Sequence, residues 1–321
     1  MESDAGCSWR GVLMARDAHG EGSRCYGKSK VLGADSGART LSEEESKQKS
    51  VAGEHINEFI AKMTSGVKLK PQMMADHDSM RHAQRHIHLF TENQMKNRYS
   101  NIVLFDEGAV ILETTKHDKP DETYIHATKI KCKFGNYVLA QSPKPETLND
   151  WYRMIWQLKI AVIVCLIPLP AKDDCAKYFE RQIGKKLKIV RPPETRQILE
   201  MMRSVWATEA SAKLADDKVT PTLVHGITGT RRTGTYVILS MLCRQIKYHR
   251  QMSLLSACSR VRHLRYSVMR NRICFTVLIE SALTFAADQG LVNSASDSFK
   301  DAIKNIRSAA VGSPEQPGVC A

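Results

Sequence analysis

An α/β domain is what this sequence predicts, and three observations carry that reading. The segment Pro221-Thr222-Leu223-Val224 is a short apolar run of the length expected for a buried strand. A loop carrying Gly226, Gly229 and Gly234 follows, and then a helical pattern from about Arg232 to Lys247, with Val237, Ile238, Leu239, Met241 and Leu242 as ordinary helix core. A second apolar run, Ile160 to Ala171, is too short to cross a bilayer and reads as another buried strand. With 321 residues the chain is long enough to bury one substantial core.

The strand, glycine-bearing loop and helix start together make an anion cradle. Backbone N–H groups converge at such a turn, and the helix macrodipole favours negative charge there. The candidate phosphate-binding residues are Gly226, Ile227, Thr228, Gly229, Thr230, Arg231 and Arg232, the two arginines adding a bidentate grip on phosphate or sulfate oxygens. Gly229-x-x-x-x-Gly234-Thr235 resembles a nucleotide P-loop, but the lysine after the second glycine is missing, so NTP hydrolysis is not expected.

His225, Arg232, Thr233 and Gly234 match, at the right spacing, the signature His-Cys-x5-Arg-Ser/Thr-Gly of the protein tyrosine phosphatases. Other segments resemble that family in the correct order: Lys96-Asn97-Arg98-Tyr99, Tyr124-Ile125-His126-Ala127, Tyr137 through Pro143, Thr147 through Trp156, and the strand Ile160 to Leu166. The resemblance covers most of residues 55–287 and implies a mixed central β-sheet flanked by helices. It also implies that Tyr99 walls a phosphotyrosine pocket and that His225 and Thr233 support the loop. Asn101 stands where the family commonly has an aspartate.

The chemical positions depart from the pattern. Gly226 occupies the place of the nucleophilic cysteine and leaves no atom to form a phosphoenzyme. Arg231, where glycine is usual, is expected to crowd the loop or change its backbone angles. Counting back from Leu199 puts the general acid at about Lys186-Leu187-Lys188, with lysine near 188 in place of aspartate. Glu194 is the nearest carboxylate, and it reads first as an acidic residue in a helix's opening turn. Arg270 takes the place of the water-positioning glutamine, and Cys274 that of a second glutamine. Cys274 is read as core packing. Between Phe179 and Lys186 the chain is short, so strands are expected to be missing before the acid loop, with Lys185, Lys186 and Lys188 guarding the exposed edge.

Composition bounds the rest. Residues 1–50 read as a disordered or weakly ordered arm, 51–290 as the phosphatase-like domain and 291–321 as a tail, with short helices near 42–63 and 298–308. No early basic-then-apolar segment occurs, so secretion is not expected. Nine cysteines without a pairing pattern fit a reducing, cytoplasmic location. His82 and His86 have the spacing of a metal pair, but nothing nearby completes a site, so neither metal nor cofactor is expected. The net charge is +13, and from Lys218 through Ile279 eleven Lys/Arg occur with no Asp or Glu. That field attracts an acidic or phosphorylated protein partner. No basic–aromatic interleaving appears in the sequence, so nucleic acid is not expected, nor is a membrane. The reading is a catalytically impaired phosphatase-like protein, a pseudophosphatase that binds phosphotyrosine or another anion through the 225–232 loop. Residual phosphatase activity and a pure interaction scaffold remain as alternatives.

Overall fold

A computed structural model describes residues 11–15, 56–65, 85–114, 120–167, 174–179, 185–187, 195–216, 220–269 and 271–311. Seven strands make one sheet: β1 (Gly11–Ala15), β2 (Ala109–Ile111), β3 (Tyr124–Cys132), β4 (Gly135–Gln141), β5 (Val162–Cys165), β6 (Lys185–Leu187) and β7 (Thr222–Gly226), in the order β2-β3-β4-β7-β5-β1-β6. The pairs β2–β3 and β3–β4 are antiparallel, whereas β4, β7 and β5 run parallel. β1 is antiparallel to both β5 and β6. The sheet is therefore mixed, as the resemblance implies.

The helices are α1 over 56–64, α2 (His88–Glu92), α3 (Leu148–Gln157), α4 (Thr195–Asp216), α5 (Arg231–His249), α6 (Leu254–Leu264), α7 (Arg272–Asp288) and α8 (Asp297–Val311). Strand periodicity sorts side chains onto two faces. Tyr137, Leu139 and Val224 enter a large core shared with α1 and α4 to α8. Val138, Ala140 and Leu223 point the other way, toward Trp151 and Met154 of α3. Every residue of β7 is buried, as befits a parallel strand with a neighbour on each side and a layer on each face. α5 buries thirteen residues between Thr233 and Ile246, so it is an interior helix, apolar around its circumference. Among the described residues no helix is long and apolar enough to cross a membrane.

Three features differ from the sequence expectation. Gly11–Ala15 lies inside the arm expected to be weakly ordered, yet it forms a strand, because β5 offers it an unsatisfied row of N–H and C=O groups. The expected gap before the acid loop is thus bridged by β1 in the sheet interior, and β6 carries Lys185 and Lys186 at the outer edge. Third, α8 belongs to the packed domain: Phe299, Ala302 and Ile306, at helical spacing, are buried in the large core, and Asn305 Nδ2 donates to the carbonyl of Met63 at 3.3 Å. Of the His82 and His86 pair, His82 lies outside the described residues and His86 precedes the helix His88–Glu92.

Deleting residues 1–15 is expected to lower the thermal midpoint and to cause concentration-dependent association, because β5 is left with an open edge. Thermal unfolding with light scattering checks this; an unchanged midpoint in a monodisperse sample would show that β1 adds nothing to the sheet.

Candidate anion-binding site

β7 ends at Gly226 and α5 begins at Arg231, so residues 227–230 span the turn. The register places Gln141 of β4 opposite Gly226, and Cys165 of β5 opposite His225. Beyond the strand ends, the Ser142 N–H donates to the Ile227 carbonyl at 3.2 Å and the Leu166 N–H to the His225 carbonyl at 2.8 Å. The Gly234 N–H donates to the Thr230 carbonyl at 2.9 Å, closing the first turn of α5. The hydroxyls of Thr228 and Thr230 are 2.8 Å apart. Gly229 has φ of 67°, and a Cβ there would stand 2.2 Å from the Ala140 carbonyl oxygen. Only glycine fits, on conformation and on space alike.

The loop is held from behind by Arg265, at the C-terminal end of α6 and buried to 1 % exposure. Its Nε donates to the Gly229 carbonyl at 3.1 Å, and one terminal nitrogen donates to the Thr228 carbonyl at 3.0 Å. The other terminal nitrogen donates to Thr128 Oγ1 at 3.2 Å. Since each peptide unit is planar, turning these two carbonyls toward Arg265 turns the N–H groups of Gly229 and Thr230 away from it. Two donors are thereby presented on the opposite side of the loop.

His126 steadies Arg265. Its Nδ1 lies 3.1 Å from the guanidinium, which can only donate, so Nδ1 accepts and Nε2 carries the proton, donating to the Ile102 carbonyl at 2.9 Å. Burial, reinforced by the Arg265 charge, lowers the His126 pKa to about 3, and the ring is neutral. Burial also lowers Arg265 to about 10, and it keeps its charge at neutral pH.

At the nucleophile position, a Cβ on Gly226 would lie 3.0 Å from Thr233 Oγ1, so a small side chain there faces the Thr233 hydroxyl. His225 is fully buried; its Nε2 is 2.5 Å from the Tyr178 hydroxyl, and its ring meets the Trp151 edge at 5.1 Å. Burial lowers its pKa to about 3. The thiol beside it, Cys165, is pushed up to about 11 by burial, so it is protonated and unreactive as a nucleophile at neutral pH. Cys274 is buried in the first turn of α7, with its backbone N–H capped by Asn271.

Arg232 Nη1 donates to the Leu166 carbonyl at 2.9 Å, which brings its side chain across the end of β5. Arg231, expected to crowd the loop, is instead exposed, because the first residue of α5 points outward from the turn. Gln141 fastens the segment before Tyr99: its Oε1 accepts from the Arg98 N–H at 3.1 Å and its Nε2 donates to the Lys96 carbonyl at 2.8 Å. Tyr99, 41 % exposed, is thus carried on a segment bound to the residue that pairs with Gly226. Asn101 is exposed. The acid position near Lys188, Glu194 and the glutamine position Arg270 lie outside the described residues.

Arg265, His126, Tyr178 and Gln141 escaped the sequence reading as site residues. Arg265 was legible only as one of eleven cations in a carboxylate-free stretch, and nothing in its neighbours marks it as buried. Among the described residues no group of three His, Cys, Asp or Glu is placed to hold a metal ion.

Comparison with known proteins follows the same lines. The protein-tyrosine phosphatase family profile matches residues 93–191 and 190–284. The chain is 40 % identical to human receptor-type tyrosine-protein phosphatase alpha over 95 residues, 28 % of this chain and 12 % of that protein. It is 22 % identical to the Caenorhabditis elegans tyrosine-protein phosphatase Lar-like over 239 residues, 62 % of this chain and 11 % of the relative. Against the putative receptor-type tyrosine-protein phosphatase mosPTP-1 of Aedes aegypti it is 23 % identical over 309 residues, 80 % of this chain and 23 % of the relative. The chain thus spans less than a quarter of the length of these relatives.

Arg265→Ala is expected to cost about 3 kcal/mol or more, because it strips charge-assisted hydrogen bonds from two buried carbonyls. Arg265→Lys should recover only part of that loss, since an ammonium cannot span both carbonyls and Thr128. Urea titration of both variants checks this, and a loss within about 0.5 kcal/mol for the alanine variant would show that the loop holds its own shape.

The buried histidines set an acid limit. Both have folded pKa values near 3 against 6.5 ordinarily, so the unfolded chain takes up their protons first. Stability from these groups is complete above pH 6.5 and is lost as the pH falls toward 3, at about 1.4 kcal/mol per pH unit for each ring at full slope. Urea unfolding from pH 7.5 to 4 reads the slope; a flat profile down to pH 5 would mean that water reaches and protonates both rings in the fold.

Proposed function

Because this chain belongs to the protein-tyrosine phosphatase family, we propose that it is a catalytically impaired member that binds phosphotyrosine, or a related anion, through residues 225–232. The observation that carries this reading is Gly226: the loop keeps its anchoring, while the position that would attack phosphorus has no side chain. Loss of a thiolate also removes a negative charge from the loop, which favours retention of a phosphate dianion. Arg232 is the charged grip, the N–H groups turned from Arg265 are neutral donors, and Tyr99 is the wall against the aromatic ring. The partner is a phosphotyrosine-containing or acidic protein. The six described cysteines are all free, in keeping with a reducing, cytoplasmic setting.

Residual hydrolysis is the second reading, and it would need a thiolate or an activated water at the loop. The nearest thiol in the sheet, Cys165, is buried with a raised pKa, and Cys274 is buried in α7. Both facts favour binding over turnover.

Calorimetric titration with a phosphotyrosine peptide and its unphosphorylated twin tests the proposal. Selective binding by about tenfold or more, abolished by Arg232→Ala, is expected. Equal binding of the two peptides would sink it and leave a scaffold. Gly226→Cys supplies a second readout. A thiol at the mouth of the turn that leads into α5 should be acidified by the N–H groups and the helix start it faces, so alkylation by iodoacetamide at pH 6 should outpace that of a free thiol. Alkylation no faster than cysteine in solution would mean that the loop exerts no pull on anions.

A further inference from the structure

α5 joins the loop to the far end of the sheet, and its 19 residues span about 28 Å. At that far end cations and aromatic rings alternate. The β3–β4 hairpin closes with Cys132 opposite Gly135, so Lys133 and Phe134 form its tip. The Lys133 ammonium sits 4.8 Å from the Phe134 ring centre, and His249 of α5 meets the same ring edge-on at 5.4 Å. Beside it, the Lys247 ammonium lies 5.5 Å from the ring of Tyr248 and 5.7 Å from that of Trp206 on α4. Arg250 caps α5 in a left-handed conformation. Tyr248 is 65 % exposed.

Among the described residues no carboxylate pairs with Lys133, Lys247 or Arg250. Glu209, the carboxylate one turn beyond Trp206, is occupied by Arg244 and the Thr222 hydroxyl. Complementing the α5 macrodipole accounts for cations in the last helical turn. It accounts neither for Lys133, which comes from a different element, nor for a tyrosine left two-thirds exposed between them.

We propose that this face binds single-stranded nucleic acid. Such a strand sets a phosphate charge beside each flat base, and the face sets Lys133 and Lys247 beside the exposed ring of Tyr248, with Phe134 and Trp206 half-buried around it; base–aromatic stacking and phosphate contacts are the two terms that hold single strands on proteins. An acidic peptide would use the cations and leave the rings idle. An anionic membrane would take up the same cations but needs several apolar side chains reaching past them, and among the described residues Tyr248 is the one large apolar side chain exposed at this face. The inference is independent of phosphotyrosine binding, since the two sites stand at opposite ends of α5.

Fluorescence anisotropy of labelled U12 and dT12 with the full chain tests it. Binding of either strand is expected, weakening about 20-fold between 50 and 200 mM salt if three cations neutralise phosphates. Lys133→Glu with Lys247→Glu should flatten that salt slope, and Tyr248→Ala should weaken the strand about tenfold without affecting a polyglutamate peptide. All three side chains are exposed, so the variants should unfold at the wild-type temperature. Arg232→Ala should leave strand binding intact. Binding of neither strand overturns the proposal. So does polyglutamate binding that equals the strand and falls with Tyr248→Ala, or loss of strand binding on Arg232→Ala. Stronger capture by phosphatidylserine vesicles than by either strand overturns it in favour of a membrane.

Discussion

The guanidinium of Arg265 is the contact on which the candidate site rests. A fully buried cation is costly, and here it is solvated by two carbonyls, a hydroxyl and an imidazole. That arrangement makes the loop's shape and the cation's burial mutually dependent: the Thr228 and Gly229 carbonyls are two of the four acceptors that the buried guanidinium meets. Gly229 adds a steric condition from the other side, because the Ala140 carbonyl leaves no room for a Cβ. The turn is thus determined from β4, α6 and β3 together, and the absence of a nucleophile at Gly226 does not disturb any of those supports.

On the reading proposed for residues 225–232, the loop separates two properties that an enzyme of this fold would combine. Under that proposal recognition depends on donors presented by the loop backbone and on Arg232, whereas chemistry would depend on a thiolate. Only the second is removed by Gly226. The Tyr178–His225 pair and the Trp151 ring pack together beside the end of β7.

Much of this could be read from the chain. The strand, turn and helix around residues 222–249 fall within two residues of their expected bounds, because a short apolar run, three glycines and a long apolar helix leave few alternatives. The seating of Tyr99 next to the sheet end was implied by the resemblance alone; its physical cause, the Gln141 side chain, joins residues about 45 apart and leaves no local pattern. His126 was legible only as part of a segment that resembles the family's, and its service to Arg265 appears only once β3 and α6 meet. The cation–aromatic face is assembled from the hairpin tip, α4 and α5, so a search for interleaving along the sequence could not find it. α8 was expected as a helix near 298–308 within a tail; that Phe299, Ala302 and Ile306 turn one of its faces into the large core was not read from the sequence.

The position of β1 also bears on how the chain reaches its fold. Val12 pairs with Cys165, so about 150 residues must be made before the first strand meets its neighbour, and β6 is added to its other edge only later. During synthesis the N-terminal segment must therefore wait, unpaired, while β2 to β5 emerge. Closing so long a loop carries an entropic cost that falls on assembly rather than on local contacts, and it makes this side of the sheet a late event in folding. Between the emergence of Gly11–Ala15 and that of Val162–Cys165 a nascent chain has no β5 for the first strand to pair with, and this is the interval in which a chaperone or a second copy could compete for it.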